Sequence, residues 1–176
     1  MNCFISGGCK NGKSYYAQHI TKEIAEKNGL PLYYIATMIP TDEEDHIRIE
    51  RHMRERDGWG YITIEQPTNI LNVFDKADKN GVFLFDSVTA LLMNEMFPIN
   101  GEPVLNAGNK ISSELEEFCK TSNNTVFVSD YLYSDSNNFD DLTDKYRESL
   151  ARLDRTLAKS CDKVIEVAYG FTKVHK

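Results

Sequence analysis

"FISGGCKNGKS", residues 4–14, runs from an apolar stretch into two glycines, a lysine-containing turn and then Gly-Lys-Ser. Gly7, Gly12, Lys13 and Ser14 stand at the G-x-x-x-x-G-K-[ST] spacing of a phosphate-binding loop. The flanks have the form such a loop needs. Residues 2–6 read as a buried strand, and residues 14–28 as a helix with apolar positions at Ala17, Ile20, Ile24 and Ala25. Glycines let the backbone curl so that several N–H groups converge on one phosphate, and the helix N-terminus adds positive potential. Lys13, expected to face solvent in the turn, adds a full charge. Ser14 supplies a hydroxyl for Mg²⁺. This stretch predicts a nucleotide-binding loop.

Composition sets the class around it. A chain of 176 residues with 41% hydrophobic and 27% charged content is expected to be one soluble domain with a real core. A net charge of −7 with no basic stripe argues against a nucleic-acid or membrane-surface role. No apolar run is long enough to span a bilayer and no basic–apolar leader precedes the loop, so no membrane insertion is expected. Cys3, Cys9, Cys119 and Cys161 are scattered without metal-type spacing. They read as reduced thiols of a cytoplasmic protein, with Cys9 a small filler residue in the loop.

Strand and helix signals then alternate along the chain. Apolar strands are expected at 29–37, 61–65, 81–87, 125–130 and 163–170, the last being the final clear strand. Helices are expected at 41–56, 69–79 (a short one), 88–96, 109–121 and 140–159. The alternation predicts a single α/β domain over 1–176: a mainly parallel sheet with helices on both faces. Residues 133–141 are polar and turn-rich, as in a mobile loop.

In such a sheet ligands sit beyond the carboxyl ends of the strands, where Thr37, Asp86 and Asp130 fall. Asp86, closing "VFLF", is the favoured second holder of Mg²⁺. Asp130 leads into a long loop, and its reading stays open between ligand and helix cap. Helix 41–56 carries Arg48, His52 and Arg56 four apart on one face, with Arg51 and Glu55 beside them. Thr41 and Glu44 read as its capping box, and Ile49 and Met53 as an inward stripe. Arginines one turn away disfavour the imidazolium and keep His52 neutral and nucleophilic.

"ISGGCKNGKS", "YYIAT", "RIERHMRERDGW" followed by "TIEQP", and "FLFDSVTALLMNEMF" together resemble the adenosylcobinamide kinase/adenosylcobinamide-phosphate guanylyltransferase family. "RESLARLDRTLAKSCDKVIEVAYG" is similar to its final helix and strand, so the likeness spans almost the whole chain in order. The resemblance implies a three-layer, RecA-like phosphate-loop fold and a bifunctional transferase of cobalamin biosynthesis. It implies phosphorylation of the aminopropanol hydroxyl of adenosylcobinamide with ATP or GTP. It then implies transfer of GMP from GTP to adenosylcobinamide phosphate through a guanylylated histidine, which falls on His52. The implied nucleotide contacts fall on Gly7, Gly8, Cys9, Lys10, Asn11, Gly12, Lys13 and Ser14, on Ala36, Thr37 and Met38, on Met53, Arg54, Glu55 and Arg56, and on Glu65 and Asp86. Closed homo-oligomers, trimers among them, are also implied. Cys9, Lys10 and Asn11 replace the family's usual alanine, arginine and serine while keeping the positive charge. "SDYLYSDSNNFDD" replaces its usual N-E-V-G and apolar loop, near where the corrinoid would dock. Two other readings use the loop alone: a plain small-molecule kinase, and a nucleotide-responsive binding protein that does no chemistry.

Overall fold

The computed structural model describes residues 1–133, 137 and 139–176; the side chain of Arg48 also lies outside the description. The strands are β1 (Cys3–Gly7), β2 (Leu32–Ala36), β3 (Tyr61–Glu65), β4 (Val82–Asp86), β5 (Thr125–Asp130), β6 (Lys163–Ala168) and β7 (Phe171–Val174). The helices are α1 (Lys13–Asn28), α2 (Glu43–Glu55), α3 (Val88–Met96), α4 (Ala107–Thr121) and α5 (Asp141–Ser160). One seven-stranded sheet runs in the order β3-β2-β4-β5-β1-β6-β7. Neighbours are parallel from β3 through β6, and β7 returns antiparallel on β6.

The central strands are apolar on both faces because helices cover both. Phe4, Phe83, Phe85 and Phe127 point to the face covered by α3, α4 and α5, among Leu92, Ile111, Leu115, Phe118, Leu150 and Leu153. Phe118 meets Phe83 and Phe127 edge-on at ring-centroid distances of 5.8 and 5.7 Å, the arrangement aromatic quadrupoles favour. Cys3, Ile5, Leu84, Val126, Val128 and Ile165 form the opposite face. There α1 offers small buried residues at a four-residue spacing, Ala17, Thr21 and Ala25, and so lies close to the strands.

Four local expectations change. The short helix at 69–79 contracts to a 3₁₀ turn, Ile70–Asp75. The final strand does not end the sheet: Tyr169 and Gly170 both take positive φ, 54° and 79°, and turn the chain tightly into β7. The cap of α2 is shifted by one residue from Thr41–Glu44. Asp42 accepts from Asp45 N–H at 2.9 Å, and Asp45 Oδ2 accepts from the Thr41 N–H and hydroxyl. The stripe of Ile49 and Met53 does not pack inward. Met53 is 58% exposed and Ile49 only half-buried, because no described residue of α2 is buried and the helix lies outside the core. Of the loop at 133–141, residues 134–136 and 138 lie outside the described residues.

β1 leaves the sheet at Gly7, and here glycine is required by space. A Cβ on Gly7 would lie 2.1 Å from the Val167 carbonyl oxygen of β6, whereas one on Gly12 (φ 86°) would meet nothing. Gly7→Ala is therefore expected to destabilise the domain by at least about 2 kcal/mol through overpacking against backbone. Gly12→Ala should cost about 1 kcal/mol, from its left-handed backbone alone. Urea unfolding of both variants checks this order; equal midpoints would contradict it.

Candidate active site at the carboxyl edge of the sheet

The phosphate loop takes the shape the glycine spacing predicts. Lys10 and Gly12 adopt left-handed backbone, with φ of 57° and 86°, and α1 begins at once with Lys13. No side chain caps α1 and no acid stands in its first turn, so its amide groups and dipole are left for an anion. Lys13, however, does not face solvent. It is 5% exposed; its Nζ donates to the Gly8 carbonyl at 2.6 Å and lies 2.7 Å from Asp130 Oδ1. The register that pairs Gly7 with Asp130 brings that carboxylate level with the loop, and Tyr131 N–H bonds to Gly7 O at 2.9 Å. Asp130, whose reading the sequence left open, is the lysine's partner in this structure.

Asp86 stands at the end of β4, with β5 between it and β1. Register places Glu65, Ala36 and Asp86 in one row across β3, β2 and β4. The Tyr34 hydroxyl donates to Asp86 Oδ2 at 3.1 Å, and the Arg56 guanidinium lies over the Tyr34 ring, 3.5 Å from its centroid. Burial first, then the Asp86 charge, push the Tyr34 pKa well above its ordinary value, so the phenol stays a donor. Arg56 is 7% exposed, and its Nη1 has no hydrogen-bond partner among the described residues. Tyr61 closes the cluster from β3: its hydroxyl donates to Gln18 O at 3.0 Å and lies 2.6 Å from Thr21 Oγ1. Burial raises its pKa to about 12.

Thr37 is buried and its hydroxyl is engaged by backbone. It donates to Ser87 O at 2.8 Å and accepts from Ser87 N–H at 2.7 Å, bracing the chain just after Asp86. Asn94 Nδ2 holds Thr37 O and Pro67 O. Ser14 and Met38 are half-buried, while Cys9 and Lys10 are exposed. The Ser14 hydroxyl and the Asp86 carboxylate are hard oxygen donors suited to Mg²⁺. Among the described residues no group of three or more His, Cys, Asp or Glu side chains gathers, so waters and phosphate oxygens would complete such a coordination sphere.

The end of α2 divides by direction. Arg54 is exposed and paired with Glu50 at 2.9 Å, and Glu55 lies 3.8 Å from Arg51. His52 is 20% exposed, with Nδ1 3.2 Å from Glu55 Oε2, off the line of a good hydrogen bond. Arg56, the C-cap, turns inward to Tyr34. Arg48, the third member of the expected face, has its side chain outside the described residues. Beyond the helix, Trp59 packs edge-on to His19 at 4.8 Å and under Lys22 at 4.7 Å, which docks this connection on α1. Sequence reasoning passed over Tyr34, Tyr61 and Asn94. The hydroxyl of Tyr34 within the buried strand β2 was the one signal for that residue, since a buried hydroxyl needs a partner; Tyr61 on the largely exposed β3 and Asn94 on α3 gave none.

The family model for cobinamide kinase / cobinamide phosphate guanyltransferase (CobU) matches residues 3–174. The chain belongs to that family. It is therefore of an enzyme family with kinase and guanylyltransferase activities in cobalamin biosynthesis, acting on cobinamide. No curated protein matches closely enough to stand as a relative. Solved structures agree on the fold. The ATPase domain of G40P is similar with a TM-score of 0.55 at 13% identity, over 94% of this chain and 68% of that one. The flagellar accessory protein FlaH of Methanocaldococcus jannaschii gives 0.52 at 15%, over 99% and 77%. The KaiC-like protein PH0186 of Pyrococcus horikoshii OT3 gives 0.51 at 13%, over 99% and 78%. The architecture is the RecA-like phosphate-loop fold.

The buried pair makes a direct prediction. In the free protein Lys13 should react with an amine-acylating reagent more than about tenfold slower than Lys120, since charge-assisted bonds hold its ammonium. Asp130→Asn should speed that reaction. Mass-spectrometric footprinting checks both, and a Lys13 as reactive as the 71%-exposed Lys120 would contradict the pairing.

Proposed function

We propose that this chain phosphorylates the aminopropanol hydroxyl of adenosylcobinamide with ATP or GTP. It then transfers GMP from GTP to the resulting phosphate through a guanylylated His52. The observation that carries this reading is a single sheet edge offering two different tools. One is a phosphate loop; the other is the end of α2, which carries the half-buried imidazole of His52 and, four residues on, the Arg56 that turns in over Tyr34. A plain kinase needs only the first, and a binding switch needs no nucleophile.

In the kinase step the first-turn amides of α1 and the loop bind the β- and γ-phosphates. Lys13 exchanges Asp130 and the Gly8 carbonyl for phosphate oxygens, so its charge meets the negative charge that develops during transfer. Mg²⁺, when bound by Ser14 and Asp86, neutralises phosphate charge. In the second step a ring nitrogen of His52 attacks the α-phosphorus of GTP and pyrophosphate leaves. An oxygen of the acceptor phosphate then attacks that phosphorus and imidazole departs. Glu65 holds guanine or ribose in this reading, which its register with Ala36 and its exposure at the row's end support.

All four cysteines are free, which supports a reducing, cytoplasmic setting. No helix among the described residues is long and apolar enough to cross a membrane. A homo-oligomer follows from the family likeness alone.

Incubation with α-labelled GTP should label His52 in the wild type, through a bond labile to acid and stable to base. His52→Asn should take no label and form no guanylated corrinoid, while still phosphorylating cobinamide. Lys13→Ala should bind nucleotide about 10- to 100-fold more weakly, as loss of charge-assisted bonds implies. A His52→Asn protein that still makes the guanylated product would leave the plain kinase as the better reading.

A further inference from the structure

At the end of the sheet opposite the phosphate loop the chain turns into β5, β1 and β6, and Asn2 ties the three turns together. It is buried, and its Nδ2 donates to Cys119 O at 2.8 Å and to Ser122 O at 3.0 Å. Its Oδ1 accepts from Thr125 N–H at 3.0 Å. Its carbonyl accepts from Asp162 N–H at 2.9 Å, and its own N–H donates to Asp162 Oδ2 at 2.8 Å. The ends of α4 and α5 are thereby held side by side. Each brings a cysteine: Cys119 in the last turn of α4, and Cys161 as the C-cap of α5. The two side chains share a thiol–thiol hydrogen bond.

The pair is asymmetric. Cys161 is 1% exposed and belongs to the core. Cys119 is half-buried and, with Glu116, Lys120 and Ser160, lines a surface opening of about 270 Å³. A reagent in that opening meets Cys119 first and reaches Cys161 only through it. The bond from Cys161 holds the Cys119 thiol below its ordinary pKa, while the same bond, and then burial, raise that of Cys161. Cys119 is thus the readier thiolate, with a second thiol directly behind it. Thiol–disulfide exchange calls for that division between an accessible attacking sulfur and a resolving one. The other two cysteines differ: Cys3 is wholly buried on β1, and Cys9 is exposed in the phosphate loop at the far end of that strand.

We propose that Cys119 and Cys161 form a dithiol site that closes to a disulfide by exchange with a low-molecular-weight disulfide, fastening α4 to α5. The Cys119 thiolate attacks one sulfur of the small disulfide, and a small thiolate leaves. The leaving thiolate takes up the Cys161 proton. The Cys161 sulfur then attacks Cys119 Sγ and expels the second small thiolate, which takes up a proton from water. Two protein thiols are oxidised and one small disulfide is reduced to two thiols. The link ties positions 119 and 161 and so restricts the unfolded chain. No residue of the nucleotide site takes part.

The test is incubation of the whole chain with glutathione disulfide, alkylation of remaining thiols, trypsin digestion and mass spectrometry. The wild type should yield segment 111–120 joined to segment 160–163, and dithiothreitol should part them. Cys161→Ser should stop at glutathione on Cys119, and Cys119→Ser should leave Cys161 unmodified. A Cys9→Ser protein, used for melting alone, should melt about 5 °C or more higher when linked than after dithiothreitol. Free thiols at both positions under conditions that modify Cys9 would overturn the proposal. So would a wild type in which glutathione stays on Cys119, or a linked protein that melts no higher than the reduced one.

Discussion

An ammonium group that is almost wholly out of water must be answered by negative charge close at hand, and Lys13 is answered by Asp130 at 2.7 Å. Much of the carboxyl edge follows from that pair. Asp130 can reach the loop only because β5 lies directly beside β1 in the register that sets Gly7 against Asp130. On the other side β6 comes so near that only glycine fits at Gly7. The order β5-β1-β6 therefore shapes the loop from both sides. In the proposed kinase step phosphate oxygens replace Asp130, and until then the internal carboxylate keeps the lysine's charge in place.

Site and core are built by different rules. β4 and β5 are buried almost throughout and α4 and α5 cover them, so the position of Asp86 is set by packing. Helix α2 has no buried residue among those described and is held by its Asp42 cap, an acidic first turn, basic residues near its end and pairs such as Arg54–Glu50. Such pairs are worth about 0.3–0.5 kcal/mol each. Among the described residues its end is tied to the domain by Arg56 on Tyr34, helped by Trp59 on α1. Substitutions at His52 should therefore alter chemistry and leave the fold alone.

The strand–loop–helix start and the alternation of elements were legible in the sequence because each is a local pattern. Strand 61–65 and helix 88–96 agree with the structure residue for residue. The departures arise where distant partners decide. Nothing near Lys13 in the sequence says that a carboxylate 117 positions later will bury it. Ile49 and Met53 have the spacing of an inward stripe, but α2 has no core beneath it to receive them. β7 is short and exposed throughout, with no apolar alternation to betray it. Arg56 reads as a companion of His52 on one helix face, whereas in the structure it turns inward over Tyr34.

The central claim is that His52 carries GMP covalently between donor and acceptor, and isotope exchange tests it most directly. With GTP, Mg²⁺ and labelled pyrophosphate, and with no corrinoid present, the wild type should return label to GTP, because forming the adduct is reversible. The Lys13→Ala and His52→Asn proteins should show little or none. Exchange that persists in His52→Asn, or that in the wild type requires the corrinoid, would contradict the account.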